Sequence, residues 1–361
     1  MRRIVVVFIT LGLLIQFNSC DRRNLVIEVK DVDYSNNDKL ILSSTDCGEI
    51  IGVTDIFISD TLLLVITNDD KGQLKVLRTR DLSLVVDLCR RGRASDEFTQ
   101  RPVRNFWEIY EKDGCIVMPL IDGVSTLKEL NITESVIHGR TVINKKEERP
   151  PFMNCEIMRI NDEKSLYYYP VSNDDPQSEK YYPPKYYIVD NESKSEIKVF
   201  SKIMDAVWPS AVINAQTGIM HKHPNKNLFV QNFERMDYLI YFDLNNNHYY
   251  AIHQKGSHTF DDVLPGREEY KKKWRKCFTD AVVTNNYIIS LYWNDDYCEE
   301  NINTGEKKSI IKVFDWNGNY VYGAKLDKAV HSIAYDEIHN ILFGINRSTE
   351  KLFSFKLNLP R

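Results

Sequence analysis

Short runs of β-branched and aromatic residues recur along the whole chain, and tight turns follow them. The clearest case is residues 310–326, where two such runs flank Asn317 and Gly318. An Asn-Gly pair between two apolar runs predicts a β-hairpin, because both residues tolerate the positive φ angles of a type I′ turn. Similar hairpins are predicted around residues 81, 131, 191 and 246. A sixth run, residues 353–358, meets the C-terminus before a second strand can follow.

These hairpins are parts of a larger repeat. Their turns lie about 40 to 70 residues apart, and another pair of short runs precedes them, as at residues 56–66 and 287–292. Repeats of about 40 to 50 residues with four strands each are typical of propeller blades. We therefore predict an all-β fold, a six-bladed β-propeller with four-stranded blades.

One strand-like run stands apart from any hairpin. Residues 25–30 precede the first unit, whereas the sixth unit lacks its last strand. Pairing these two segments would close the ring and would remove two unpaired sheet edges, which promote aggregation. We therefore predict that residues 25–30 close the propeller. The alternative is an extended tether without a partner strand.

A single short helical insertion is predicted in the long segment before the fifth hairpin. Residues 267–276 follow Pro265 and Gly266, begin with acidic side chains and end with basic ones. This charge order favours a helix, since it complements the helix dipole.

The N-terminus has the pattern of a secretory signal peptide. Arg2 and Arg3 precede an apolar run over residues 4–15, and Ser19 and Cys20 follow. The run is shorter than the roughly 20 residues of a membrane-spanning helix. A cysteine in this position resembles the lipobox of bacterial lipoproteins, which implies cleavage before Cys20 and acylation of Cys20, for example with palmitate. Two or more acyl chains give a stable membrane anchor. The alternative is a signal whose cleavage site merely lies near a cysteine.

The loop after the first hairpin adds a second resemblance. Gly92, Arg93, Glu97 and Phe98 match the Gly-Arg-Gly-Pro-Gly-Glu-Phe motif of the TolB-like six-bladed β-propeller lipoproteins of Bacteroides-type bacteria, whereas residues 94–96 differ from it. The resemblance covers nearly the whole mature chain and implies a fold and a cellular location, but no activity.

The expected organisation is a lipoprotein signal peptide at residues 1–19, a lipidated tether at 20–24 and the propeller at 25–361. Surface-exported lipoproteins of the resembled type carry an acidic cluster after the cysteine, whereas this chain has Asp21 followed by two arginines. We therefore expect an outer-membrane lipoprotein of the cell envelope that faces the periplasm.

Candidate chemistry is sparse. The net charge of −4 gives no support for nucleic-acid binding. His221 and His223 lack the carboxylate or cysteine spacing of a zinc site, and the acidic pairs lack a calcium-loop pattern. No motif of a known catalytic class occurs.

Apart from Cys20, six cysteines remain, for which 15 complete disulfide pairings are possible. Buried free thiols are the default expectation for these cysteines. We predict no catalytic residue, metal or cofactor.

Two functions remain. The first is a monomeric, non-catalytic binding or scaffold module for a protein, peptide or glycan partner. The second is a propeller-type hydrolase or lyase with a metal or carboxylates in the central channel.

Loop length suggests which side of the propeller binds the partner. Connections within hairpins are short, whereas the long segments are residues 90–103, 144–154, 171–184, 201–210, 254–276 and 294–307. They should emerge together, because connections between strands two and three and between blades share one end of a propeller. Long loops on a rigid scaffold often carry function. Aromatic residues and arginine dominate binding hot spots, and the candidates on this face are Arg93, Tyr181, Tyr182, Trp208, Trp274 and Trp293. The alternative is that these aromatics pack the loops onto the blades.

Overall fold

The computed structural model describes residues 28–34, 40–102, 109–123, 126–148, 156–169, 180–181, 185–193, 196–200, 208–209, 218–246, 248–259, 275–296 and 309–360. Three strands precede the blades: β1 (Glu28–Val32), β2 (Ile41–Leu42) and β3 (Ser44–Glu49). The remaining strands form six blades and one two-stranded ribbon. The predicted six-bladed β-propeller is therefore confirmed.

The first three blades follow in chain order. Blade one contains β4 (Asp55–Ser59), β5 (Leu62–Ile66), β6 (Leu74–Arg78) and β7 (Leu84–Leu88). Blade two contains β8 (Tyr110–Lys112), β9 (Cys115–Asp122), β10 (Thr126–Asn131) and β11 (Ile143–Glu148). Blade three contains β12 (Glu156–Arg159), β13 (Lys164–Tyr169), β15 (Lys185–Asp190) and β16 (Glu196–Phe200), and the ribbon pairs β14 (Lys180–Tyr181) with β17 (Trp208–Pro209).

The last three blades each include a strand from the N-terminal segment. Blade four contains β18 (Gly218–Lys222), β19 (Leu228–Phe233), β20 (Tyr238–Asp243) and β21 (His248–Gln254), with β1 at its edge. Blade five contains β22 (Arg275–Val283), β23 (Tyr287–Asp296), β24 (Ile310–Asp315) and β25 (Tyr320–Leu326), with β2 at its edge. Blade six contains β26 (Ser332–Asp336), β27 (Ile341–Asn346), β28 (Lys351–Lys356) and β3.

Apolar side chains between adjacent blades form the core. At the junction of the last blade with the first, Ile56 and Val65 of blade one pack in one cluster with Phe343 and Ile345 of blade six, and all four are almost completely buried. Burying one such side chain stabilises a fold by about 1.5 to 3 kcal/mol. The Ser332 hydroxyl lies 2.6 Å from Asp55 Oδ1 and 2.7 Å from Asp280 Oδ2, which links the first strands of blades six, one and five.

An N-terminal strand closes the ring, as predicted, but residues 25–30 were the wrong choice. β3 pairs antiparallel with β28 and supplies the fourth strand of blade six. β3 is polar and mostly exposed, so its sequence lacks the apolar alternation of a strand with a buried face. β3 ends at Glu49 and β4 of blade one begins at Asp55, so a short segment connects blade six directly to blade one.

The predicted closing segment has a different place. Its residues 25–27 lie outside the described residues, and the remainder belongs to β1, which pairs in parallel with β21 of blade four. Tyr34, two residues beyond β1, is buried between blades four and five among Phe278, Phe314 and other aromatic rings. The Lys312 ammonium donates a hydrogen bond to the Tyr34 carbonyl. The N-terminal segment therefore contacts three successive blades.

A helix replaces one predicted strand. The hairpin pattern near residue 131 predicts a second strand at residues 135–138, but the chain is helical there, in α1 (Ile132–His138). Asn131 caps its N-terminus by accepting a hydrogen bond from the Glu134 N–H at 2.9 Å, and Gly139 ends it with φ of 63°. The second strand of this hairpin is β11, which includes residues 144–148 of the long loop predicted at residues 144–154.

The predicted helix at residues 267–276 is wrong at its C-terminal end. Arg275 and Lys276 are the first two residues of β22 and pair with β23. The rest of the predicted helix lies outside the described residues. The tendency of this segment to pair with its neighbouring strand therefore outweighs the helix-favouring charge order at residues 275–276.

Candidate functional site

The strand order sorts the connections of each blade to two ends. Apart from the parallel edge strands β1 and β2, neighbouring strands within each blade pair antiparallel, and in blades one to five these four strands are consecutive in the order of the sheet, with only the ribbon strand β14 intervening in the chain. Connections between strands one and two and between strands three and four therefore lie at one end, which we call the short-turn end. Connections between strands two and three and between blades lie at the other, the long-loop end. One longer connection, residues 132–142 with α1, breaks the pattern by lying at the short-turn end.

The motif loop at residues 91–98 has a defined backbone at the long-loop end. The Gly92 N–H donates to the Phe98 carbonyl at 2.9 Å, and the Phe98 N–H donates to the Arg90 carbonyl at 2.9 Å. The Glu97 carboxylate accepts a hydrogen bond from the Ala94 N–H at 3.0 Å. The same carboxylate fills the space that a side chain at position 92 would need, so a larger residue there would have to displace Glu97.

A buried ion pair fixes this loop to blade two. Lys128 and Asp122 form a salt bridge of 2.8 Å, with side chains 2% and 6% exposed. The Lys128 ammonium also donates to the Glu97 carbonyl and lies 4.5 Å from the centre of the Phe98 ring. Asp122 accepts hydrogen bonds from the N–H and hydroxyl of Thr99. Burial alone would raise the pKa of Asp122, but the donors Lys128 and Thr99 lower it below its ordinary value.

The motif residues therefore divide by role. Gly92, Glu97 and Phe98 shape and fix the loop, whereas Arg93 is exposed at its tip. Of the predicted candidates with a described side chain, Arg93 is the one that the structure leaves at the surface.

Two other predicted candidates meet in the ribbon of β14 and β17. Tyr181 is the direct backbone partner of Trp208, although 27 residues separate them in the sequence. Tyr182 and Trp274 lie outside the described residues.

Trp293 belongs to the core. It lies in β23, is 9% exposed and packs in the apolar cluster between blades five and six. Its ring centre is 5.3 Å from that of His331. Trp293 therefore packs against the blades, which is the alternative given above for the aromatic residues of the long loops.

A polar cluster lies at the long-loop end of blade four, and no local sequence pattern predicts it. His253 is 3% exposed; its Nδ1 lies 2.9 Å from Asp31 Oδ1, and its Nε2 lies 3.0 Å from Ser257 Oγ. Burial raises the pKa of the neighbouring Asp237, and hydrogen bonds, including one from Ser257, offset this only in part. Asp31 and His253 are 222 positions apart in the sequence, so no local pattern indicates this arrangement.

The order Asp31, His253, Ser257 resembles the Asp-His-Ser arrangement of serine hydrolases. However, the Ser257 hydroxyl also lies 3.0 Å from the Gln254 carbonyl. A hydroxyl has one proton to donate, so Ser257 cannot donate to His253, Gln254 and Asp237 at once. These hydrogen bonds instead have a structural role, because they join β1, β21 and the turn after β21.

Within the described ranges, no three His, Cys, Asp or Glu side chains are grouped as a metal site would require. The same part of the chain includes no helix that is long and apolar enough to cross a membrane.

Three solved structures are similar to this chain. A protein from Bacteroides fragilis whose name describes it as exported aligns with a TM-score of 0.50 and 9% identity, over 92% of this chain and 98% of that one. A DUF4221 family member from Bacteroides vulgatus aligns with a TM-score of 0.48 and 10% identity, over 90% and 95%. The Cps50 (Swd1) β-propeller domain of Myceliophteria thermophila aligns with a TM-score of 0.49 and 9% identity, over 87% and 100%.

No family model matches the chain, and no curated protein matches it. The similarity to the Bacteroides fragilis protein supports the propeller fold alone.

Proposed function

We propose that the protein is a lipid-anchored, non-catalytic binding or scaffold module of the cell envelope, and that its long-loop end binds a protein partner. The observation that carries this proposal is the direction of β1. Glu28 is paired with Tyr250 near the start of β21, and Val32 is paired with Gln254 at its end. The chain therefore enters the propeller at the short-turn end, opposite the long loops.

The tether limits how far the propeller can lie from the membrane. Eight residues lead from Cys20 to Glu28, and they span at most about 29 Å when fully extended. With Cys20 acylated, the short-turn end is held near the bilayer and the long-loop end points away from it. Cys20 lies outside the described residues, and its acylation is part of the proposal.

Photo-crosslinking in the native envelope tests which end binds. A photoreactive amino acid at position 93, at the exposed tip of the motif loop, should crosslink to a protein partner. The same group at Asn245, exposed in a turn at the short-turn end, is the matched control and should not. Equal crosslinking from both positions, or crosslinking from position 245 alone, would contradict the proposal.

Alanine variants then test the individual side chains. Arg93→Ala, Tyr181→Ala and Tyr182→Ala should each reduce recovery of the crosslinked partner and leave the melting temperature nearly unchanged. If these side chains contact the partner, removing them affects binding more than folding. A lowered melting temperature with unchanged partner recovery would instead show that these side chains pack the loops onto the blades.

Hydrolysis is the second candidate function, because Asp31, His253 and Ser257 lie in hydrogen-bonded order. An activated serine reacts covalently with a fluorophosphonate probe, since its nucleophilic oxygen displaces fluoride at phosphorus. The binding proposal predicts no labelling of the full-length protein. Labelling that disappears in both Ser257→Ala and His253→Gln would establish an activated serine and overturn the non-catalytic assignment.

A further inference from the structure

A pocket of about 360 Å³ lies at the short-turn end, remote from the proposed partner face. Three parts of the chain form it: blade four, the turn of blade five at Trp316 and Asn317, and strand β1. Small-molecule sites usually have volumes of about 300 to 1,000 Å³. The lining residues that offer aromatic rings or polar groups to a ligand include Glu28, Lys30, Tyr241, His248, Tyr250 and Trp316.

Direct contacts fix the aromatic walls of this pocket. The Tyr250 ring stacks on that of Tyr241, with centres 4.7 Å apart and planes 2° from parallel. The Tyr250 hydroxyl donates to the Trp316 carbonyl at 3.1 Å, and the Trp316 indole N–H donates to the Thr284 carbonyl at 3.1 Å. A site whose walls are already held in place loses little conformational entropy when a ligand binds.

Gly318 brings the turn of blade five close enough to form one wall. Its φ is 74°, and a Cβ there would lie 2.9 Å from Ile252 Cγ2 and 3.0 Å from Tyr250 Cε2. Any larger residue would force the turn away from β21. The Asn317-Gly318 pair therefore shapes a hairpin and also allows Trp316 to approach blade four.

The Tyr241 hydroxyl is the polar group that points to a ligand. Tyr241 is 3% exposed and lines the pocket, and among the described residues its hydroxyl has no hydrogen-bond partner. A buried hydroxyl without a partner destabilises a fold, and native proteins rarely leave one so. Burial raises the pKa of Tyr241 well above its ordinary value, so the phenol stays protonated and can donate to a ligand.

The polar rim carries two carboxylates, Glu28 and Asp243, and one ammonium group, Lys30. Glu28 and Lys30 are exposed, one acidic and one basic, and the exposed His248 completes this side. Asp243 also lines the pocket, but both of its oxygens accept hydrogen bonds from residues 245 and 246 within its own turn. The Asp243 carboxylate is therefore engaged within its own turn, which leaves the oppositely charged Glu28 and Lys30 as the charged groups of the exposed rim.

We propose that this pocket binds the ring of a neutral saccharide. A sugar ring has apolar C–H groups, which suit a wall that includes the side chains of Tyr250 and Trp316, and hydroxyl groups, which suit the Tyr241 hydroxyl and the polar rim. A cationic ligand would need carboxylates that face the aromatic rings without partners of their own, and an anionic ligand would need an excess of basic side chains. Glu28 is matched by Lys30, and Asp243 is engaged in its own turn. The proposal is independent of the protein partner at the opposite end.

Titration of the full-length protein with sugars tests the class of ligand. The protein is held in a detergent without a sugar head group and titrated with glucose, galactose, N-acetylglucosamine, maltose and cellobiose. Glucosamine and glucuronic acid are the charged controls. At least one neutral sugar should change the tryptophan fluorescence saturably and bind more tightly than both charged sugars. Absence of binding by all five neutral sugars, or tighter binding of a charged one, would overturn the proposal.

A conservative variant tests the location. Tyr241→Phe removes only the unpartnered hydroxyl, so the sugar should bind about fivefold more weakly while the unliganded protein becomes no less stable. Tyr335→Phe is the matched control: its hydroxyl contacts the Leu357 carbonyl in blade six at 3.2 Å, so stability should fall and affinity should not change. Unchanged affinity in Tyr241→Phe would show that any sugar binds elsewhere.

Discussion

β1 and β3 are both short, polar edge strands of the N-terminal segment, yet they join the propeller differently. β3 pairs antiparallel with β28 and supplies a strand that blade six would otherwise lack. β1 pairs in parallel with β21, in a blade that already has four strands. An edge strand can therefore either complete the ring or extend a blade that is already complete. Only β1 contributes residues to the pocket, namely Glu28 and Lys30.

Tyr34 lies between these two strands and links their roles. Its ring is buried between blades four and five, and its hydroxyl donates to the Asp237 carbonyl at 3.3 Å. Its N–H donates to the Gln254 side chain at 3.0 Å, and its carbonyl accepts from Lys312. Tyr34 thus fixes the path of the N-terminal segment after β1 and before β2.

The largest expected effect comes from removing β3. Replacing Ser44–Glu49 with a glycine-serine segment of equal length leaves β28 as an unpaired edge and opens the ring. We expect the free energy of unfolding, measured by urea denaturation, to fall by more than about 4 kcal/mol, which is exceptional for a short surface segment. A loss below about 1 kcal/mol would show that the apolar contact between blades six and one closes the ring without β3.

Tyr34→Ala should have the next largest effect, because it empties a buried site between two blades. We expect a loss of about 3 to 4 kcal/mol in the free energy of unfolding. Tyr34→Phe is the control; it keeps the ring and removes the hydrogen bond to Asp237, and should cost about 1 kcal/mol. Equal losses in both variants would mean that the hydroxyl, rather than the packing of the ring, holds the segment.

Replacing β1 should separate binding from stability. A glycine-serine segment in place of Glu28–Val32 leaves blade four with its four own strands, so urea denaturation should show a loss of only about 1 to 2 kcal/mol. Loss of Glu28 and Lys30 should nevertheless weaken binding of the sugar identified by titration. If the affinity is unchanged while stability falls by as much as in the β3 replacement, the assigned roles of the two strands are wrong.

The smallest effect concerns the ion pair between β3 and blade six. Lys351 lies 2.7 Å from Asp46, and its hydrogen bond, with that from the Gly48 N–H, lowers the pKa of Asp46 below the ordinary 3.8. A lowered pKa in the folded state stabilises the protein above the ordinary pKa, and this stabilisation is lost as the pH falls through the lowered one. Asp46→Asn should therefore be slightly less stable than the natural protein at neutral pH.

The control for Asp46→Asn is the same pair of proteins at acidic pH. There the two urea denaturation curves should converge, because Asp46 of the natural protein becomes protonated. A difference that persists unchanged below the lowered pKa would exclude the ion pair as its cause.

The repeats were predictable because tight turns have strong local signals. Asn317-Gly318 joins β24 to β25 as expected, and the turns near residues 81, 191 and 246 likewise join paired strands. The helix α1 was predictable in principle. Asn131 and Glu134 have the spacing of a capping box, but the apolar run around them favoured a strand in the sequence analysis.

The closing strand and the pocket could not be predicted from local pattern. β3 faces solvent, so its side chains show no alternation, and only its backbone pairing identifies it. The pocket combines Lys30, Tyr241 and Trp316, which are distant in the chain and meet only when blades four and five are packed. Arg93 was predictable as an exposed loop residue, whereas the burial of Trp293 depends on its packing against blade six.

Hydrogen exchange at single strands tests most directly whether β3 closes the ring, because it reports local rather than global opening. The two glycine-serine replacements are compared with the natural protein under conditions where each remains folded. Replacing β1 should increase amide exchange in β21 and leave β28 protected, whereas replacing β3 should expose β28 and spare β21. Loss of protection in β28 after replacement of β1, with no change in β21, would contradict the assignment of ring closure to β3.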